Sequence, residues 1–263
     1  MAFATSAHAT WTFSGTGTVN SAADLAANNN VGITTVAGYA NSGATGSAWA
    51  SNGLLFYSGG GLSMNSDGST APNHAIDNKG KTEAVLLGFS SSVVLSSISL
   101  GYATDGANGC PSACAQTPVD ASVFRYTGTI APPAMGSVGS MAGWELVGNY
   151  GDLTNGGTNA VNATGAGATG AGGSGGKGSS WWLISAYNSN FGAASQTRGS
   201  LDNANDYFKI LAVSGTKCTS TVAGVCGGGG SVTSVPEPAS LALASVSLMG
   251  LFGIRRRNNN KQA

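Results

Sequence analysis

Short runs of apolar and polar residues, several of them alternating with period two, follow one another from Thr10 to about Gly215. β-Branched and aromatic residues are enriched in these runs, and Gly, Asn, Asp and Ser separate them, which is the pattern of strands joined by turns. Strands are predicted at residues 11–19, 31–39, 54–57, 83–89, 93–102, 122–130, 143–150, 180–187 and 207–213. Since no convincing helical pattern lies between them, we expect an all-β fold, namely an antiparallel β-sandwich or jelly roll.

Residues 154–179 break this pattern, because ten of these 26 residues are Gly. A segment with so few side chains to bury is expected to form a long flexible loop between two strands. The stretch from Gly165 to Gly170 has the GxGxxG spacing of dinucleotide-binding loops. Such a loop needs a buried strand before it, a helix after it and an acidic residue about twenty positions further on, and none of these is present. We therefore interpret the match as a result of low complexity.

The C-terminal segment has a different pattern. Pro236 and Pro238 flank Glu237 and keep the backbone there extended and accessible. Residues 239–254 form an uncharged run, which as a helix would reach about 24 Å, compared with a bilayer core of about 30 Å. We predict a single C-terminal apolar helix that anchors the chain in the inner membrane. The basic cluster after it places that end in the cytoplasm and the body of the protein outside.

This tail resembles the PEP-CTERM sorting signal of Gram-negative bacterial surface proteins. The residues that carry the resemblance are Val235, Pro236, Glu237, Pro238, Arg255, Arg256 and Arg257. The resemblance implies that an exosortase, a membrane transpeptidase-like enzyme, processes the tail, and that the protein is then delivered to the cell surface or extracellular matrix. A polar extension, residues 258–263, departs slightly from the family pattern. The alternative is a plain C-terminal anchor in which Pro-Glu-Pro is only a linker.

Scattered blocks of the body look similar to a family of exosortase-dependent surface proteins. These blocks are residues 72–78, 144–150, 181–188 and 206–209. The family implies a surface protein of unassigned biochemical activity and adds no catalytic residue.

The chain is expected to be organised in five segments. Residues 1–9 end in Ala7-His8-Ala9, which fits a signal-peptidase site and predicts a truncated signal-peptide remnant. The β-sandwich ectodomain is predicted at 10–217 and a Gly-rich linker with two cysteines at 218–234. The sorting and anchor segment follows at 235–257, and residues 258–263 are expected to be a polar cytoplasmic tail.

Charge argues against a nucleic-acid partner. Only 8% of the residues are charged, and the 11 Lys and Arg balance the 11 Asp and Glu. Without the basic tail the exported part is slightly acidic and contains no basic patch, so the electrostatic footprint of nucleic-acid binding is missing.

An even number of cysteines in an exported chain predicts two disulfides. Three pairings of the four cysteines are open, and we favour the two local ones, Cys110 with Cys114 and Cys218 with Cys226. A zinc site is the rival interpretation, but the spacings are not the tight CxxC pairs that zinc favours and no histidine lies near.

A secreted hydrolase is one alternative function. His74 with Asp77 is the candidate base for nucleophilic catalysis. The one GxSxG match, at residues 172–176, lies in the Gly-rich segment without the strand and helix of a nucleophile elbow. A structural role for His74 in a turn with Asn73, Asp77 and Asn78 is the simpler interpretation. No catalytic residue is predicted.

The sequence offers two further candidate binding sites. Asx-rich turns, at residues 77–83 and at Asp202 and Asp206, offer oxygen ligands for a structural calcium ion, although neither has the EF-hand spacing. Trp181 and Trp182 must point to opposite faces of a strand, so one of them is a candidate for stacking on a sugar ring. The competing interpretation is that both rings are covered.

We therefore expect a non-enzymatic structural protein of the cell surface or extracellular matrix, with no cofactor. The expected partners are exosortase, the inner membrane through the C-terminal helix, and exopolysaccharide. A glycan-binding module retained in the exopolysaccharide matrix, as in a biofilm, is the first alternative, and a secreted hydrolase the second.

Overall fold

A computed structural model describes residues 8–19, 32–57, 59–64, 74–106, 116–162, 176–194, 196–220 and 223–226. The predicted sorting residues and apolar helix lie outside these ranges, and so do Cys110 and Cys114. The described residues form strands with one single-turn 3-10 helix, Ser189–Phe191. The prediction of an all-β fold is thus confirmed.

The strands form one 14-stranded sheet in which every pairing is antiparallel except that of β10 with β13. Its main path runs β13-β10-β9-β12-β8-β14-β6-β5-β2, with the remaining strands attached beside it. The strands are β1 His8–Thr12, β2 Gly17–Val19, β3 Ile33–Asn41, β4 Ala50–Asn52, β5 Leu54–Tyr57, β6 Gly61–Met64, β7 Ile76–Asp77, β8 Thr82–Asp105, β9 Val119–Tyr126, β10 Trp144–Leu153, β11 Thr158–Ala160, β12 Ser179–Ala186, β13 Gln196–Arg198 and β14 Asp206–Lys217.

Strand β8 is the reason why the sheet is continuous instead of divided into two. The sequence predicts two strands here, but 24 residues form a single one. Ser90, Ser91 and Ser92 lie between the predicted strands and contain neither Gly nor Pro, so the backbone continues extended through them. The first half of β8 pairs with β3 and β12, and the half that begins at Val93 pairs with β14.

The first half of β8 and the neighbouring strand β12 are buried on both faces. Val85 and Leu87 belong to a large core cluster, whereas Ala84 and Leu86, which point the other way, belong to a second cluster. Residues outside the strands cover this second face, namely Trp49, Met135 and Val138 from loops and Phe191 from the 3-10 helix. Burial on both faces explains why these strands are almost continuously apolar in the sequence.

The prediction of a loop over residues 154–179 is wrong at both ends. Thr158–Ala160 forms β11, which pairs with Ser97–Ser99 of β8, and Ser179 already belongs to β12. Val161 and Asn162 are buried, and the Asn162 side chain bonds the Leu95 and Lys177 carbonyls. Residues 163–175 lie outside the described part.

Candidate functional site

The two tryptophans proposed for sugar stacking are placed on opposite faces of β12. Trp182 is 0% exposed, and its Nε1 donates to the carbonyls of Val93 and Ser179, each at 3.1 Å. Trp182 therefore cannot stack on a ligand, and of the two residues only Trp181 stays a candidate. Trp181 is partly buried beside the second core cluster, and its ring meets Tyr126 edge-on at 5.9 Å between centroids.

Arg125 forms the first of two polar centres on strand β9. It is 5% exposed, and its guanidinium pairs with the Glu145 carboxylate at 2.7 Å. Nη1 also donates to the carbonyls of Gly178 (3.0 Å) and Val225 (2.8 Å). Nη2 donates to the Gly224 carbonyl at 2.8 Å. One side chain thus joins the sheet to the segment around residues 224 and 225.

Glu145 completes this centre by pairing with Lys177 as well as with Arg125. Partial burial acts to raise the pKa of Glu145, but the hydrogen bonds and positive charges of Lys177 and Arg125 outweigh it and hold the pKa below its usual range. The carboxylate is therefore ionised at neutral pH.

A disulfide between Cys218 and Cys226, with Cα atoms 5.7 Å apart, closes the loop that Arg125 holds. The Cys218 N–H donates to the Ser92 carbonyl at 2.8 Å, and the Gly178 N–H donates to the Val225 carbonyl at 2.7 Å. A Cβ atom at Gly178 would lie 2.6 Å from the Cys218 Sγ, so only glycine permits this approach. The disulfide loop is thus attached to the sheet at several points.

Asp206 and Asp120 form the second centre. Asp206 is 1% exposed, and its carboxylate accepts the Asp120 N–H at 2.6 Å and the Asn78 Nδ2 at 3.1 Å. The Asp120 carboxylate in turn accepts the N–H groups of Asp152 (3.2 Å) and Asp202 (2.9 Å). Side chains from distant parts of the sequence thereby hold the segment before β14.

The pKa of Asp206 is raised to about 8. Burial is the main cause, the neighbouring carboxylates of Asp120, Asp105 and Asp202 add to it, and the hydrogen bond from the Asp120 N–H acts in the opposite direction. Burial is also the main reason why the pKa of Asp120 lies above its usual range. The carboxylate oxygens of Asp206 and Asp120 accept hydrogen bonds from N–H groups and do not converge on one point. Among the described residues, no three His, Cys, Asp or Glu side chains could hold a metal ion, so the structure gives no support for calcium at Asp202 and Asp206.

Asn78 belongs to this second centre, and its Nδ2 also contacts the carbonyls of Tyr187 and Ala204. In the preceding turn, Asp77 Oδ1 accepts the Lys79 N–H at 3.0 Å. His74 has a φ of 53°, and its buried Nδ1 has no partner among the described residues. Asp77 thus accepts a hydrogen bond within a turn, and Asn78 donates hydrogen bonds to backbone carbonyls of distant segments.

The sequence contains a signal for both centres. Strand β9 is buried along its whole length, yet it includes Asp120 and Arg125. A charge in a fully buried strand must be paired or hydrogen-bonded, so each was a candidate for a polar centre.

Comparison with known families identifies the tail. Residues 234–257 match the PEP-CTERM protein-sorting motif, which confirms the resemblance seen in the sequence. No curated protein and no solved structure matches the chain. The part of the chain that the structure describes has no helix long and apolar enough to cross a membrane.

Proposed function

We propose that this is a non-enzymatic structural protein of the cell surface or extracellular matrix, sorted by exosortase through its C-terminal tail. The observation that carries the proposal is the PEP-CTERM protein-sorting motif at residues 234–257. The apolar run after Pro238 would hold the precursor in the inner membrane until processing, with Arg255, Arg256 and Arg257 on the cytoplasmic side.

The Cys218–Cys226 disulfide supports export. Disulfides persist in oxidising compartments such as the periplasm and cell surface and are rare in the reducing cytosol. This support is independent of the tail motif, because it comes from the folded body of the chain.

We also infer that the continuous sheet folds over into a two-layered sandwich. Val85 and Leu87 from the first half of β8 share one core cluster with Leu95 and Leu100 from its second half. A single strand whose two halves contribute to the same core supports two layers that face each other.

The test is the mass and location of the mature protein in an exporting host, with and without its exosortase. We expect a species that lacks the segment after the Pro-Glu-Pro triplet, in the envelope or matrix, only when the enzyme is present. Replacing Pro236, Glu237 and Pro238 together by Ala should give the unprocessed mass even with the enzyme, whereas Asn258→Ala should be processed normally. An unprocessed chain in the inner membrane of both strains would contradict the proposal and indicate a plain anchor.

A further inference from the structure

We propose that a polar cleft beside strand β4 binds a hydroxyl-rich saccharide unit. The cleft lies where β3 and β4 pair, with Ala40 opposite Ala50, and where Gly80 and Lys81 approach from the turn before β8. Its volume is about 450 Å³, within the range of about 300–1,000 Å³ that is usual for small-molecule sites.

The groups that line the cleft suit a sugar. The amides of Asn41 and Asn52, the hydroxyls of Ser42 and Ser51, and the Lys81 side chain provide polar contacts. Three methyl groups, from Ala40, Ala48 and Ala50, provide small apolar surfaces for the C–H groups of a sugar ring. The lining contains neither a carboxylate nor an aromatic ring, which argues against a cation or a flat apolar ligand as the occupant.

Asn41 gives a separate reason to expect a ligand. It is 4% exposed, and its Oδ1 accepts the Gly43 N–H at 2.6 Å, which fixes the orientation of the amide. Its buried Nδ2 has no hydrogen-bond acceptor in the described part of the chain. A buried donor left without a partner is unfavourable, and such a group is expected to meet a water, an ion or a ligand. A sugar hydroxyl is an acceptor of the required kind once the atoms that cover Nδ2 move aside.

The loop next to Asn41 is held in place without a ligand. The Gly43 carbonyl accepts hydrogen bonds from the Nδ2 atoms of Asn188 (2.9 Å) and Asn190 (3.0 Å). Asn188 also donates to the Thr82 Oγ1 at 2.8 Å, which joins the loop to the start of β8. A preformed cleft avoids the entropic cost of ordering a loop on binding.

The identity of the saccharide as part of an extracellular polymer rests on the proposed function, but the cleft itself does not. Trp181 and Trp182 do not line it, so this site differs from the one that the sequence suggested. Binding is measured on purified protein and does not require sorting. If saccharide binding is absent while processing is normal, only the cleft proposal is overturned. If processing is absent while binding is normal, only the sorting proposal is overturned.

The experiment uses the full chain, purified, with two probes: a neutral β-1,4-linked glucose tetrasaccharide and an α-1,4-linked galacturonic acid tetrasaccharide. Titration calorimetry should show saturable single-site binding of at least one probe. Ser51→Ala combined with Lys81→Ala should weaken it at least about tenfold, because two polar contacts are lost. Ala50→Leu should abolish it by filling the cleft.

Lys79→Ala is the matched control, since it removes the same charge two residues from Lys81 and Lys79 does not line the cleft. It should bind within about twofold of the native protein, a change below about 0.5 kcal/mol. Thermal unfolding establishes that each variant is folded. The proposal is overturned if neither probe binds, or if the Ala50→Leu protein is folded and binds as the native protein does.

Discussion

Strand β9 has a buried charge towards each end, and the two are compensated in different ways. Arg125 meets an opposite charge, Glu145, and three backbone carbonyls. Asp120 and its neighbour Asp206 accept N–H groups, and in the described part of the chain neither forms an ion pair with a Lys or Arg. Both centres hold a distant segment against the sheet.

The pKa values show what the difference means. The pKa of Glu145 is lowered because the nearby positive charges more than offset the effect of partial burial. The pKa of Asp206 is raised to about 8 because burial and like charges outweigh the N–H donors. Backbone N–H groups can therefore position a buried carboxylate, but here they do not replace a counter-charge.

The largest effect is expected at Arg125. Arg125→Met should lower the free energy of unfolding by about 3 kcal/mol, because one change removes an ion pair and three hydrogen bonds to backbone carbonyls. Urea unfolding of the full chain measures this loss. Exposed Arg198 provides the control, and Arg198→Met should change stability by less than about 0.5 kcal/mol. Equal effects of the two changes would show that the Arg125 centre contributes nothing particular.

The disulfide beside Arg125 should contribute somewhat less. Replacing Cys218 and Cys226 by Ala should cost about 2.5 kcal/mol, the chain-entropy value for so short a loop. Because Arg125 holds the same loop, the triple variant should lose less stability than the sum of the separate losses. Strictly additive losses in urea unfolding would mean that the two act independently.

The last prediction concerns the slope of stability against pH that Asp206 produces, and not a loss of stability at one pH. Its pKa is about 8 in the folded protein, compared with about 3.9 in an unfolded chain. Between these values the folded state binds more protons, so the Asp206 contribution to stability falls as pH rises from about 4 to 8. Asp206→Asn should flatten the dependence of the unfolding free energy on pH between about 5 and 8.

Glu145→Gln is the matched control for this pH dependence. The pKa of Glu145 is lowered, so its contribution is present above the unfolded value and is lost only as pH falls below it. The Glu145→Gln protein should therefore keep the native slope between about pH 5 and 8. A native slope in the Asp206→Asn protein would contradict the assignment to Asp206.

The strand pattern of the sequence predicted the fold class and most of the long strands. Leu54–Tyr57 forms a strand with the predicted bounds, because its residues are apolar and aromatic and turns flank it. Short strands such as β11 and β13 were missed, since they contain few apolar residues and owe their conformation to the strands beside them. The tail motif needed no fold to be recognised, as its three parts are contiguous.

The polar centres could not be assembled from the sequence in the same way. The Asp120 N–H and Asp206 carboxylate are 86 positions apart, and Arg125 and Gly224 are 99 apart. The charges themselves are visible in β9, but their partners are brought to them only by the sheet topology. The cleft likewise depends on the approach of the turn at Gly80 to strand β4.

The pairing of β1 with β14 has a consequence for the order in which the chain can fold. His8–Thr12 lies beside β14, and the Thr10 and Ser214 hydroxyls are hydrogen-bonded at 2.9 Å across a separation of 204 residues. During synthesis β1 therefore cannot pair until β14 has been made. Strand β8 also lacks its neighbour β14 until then. Such non-local pairing is slow to form and leaves strand edges exposed in the meantime. The sheet can thus be completed only when synthesis has almost reached the sorting tail.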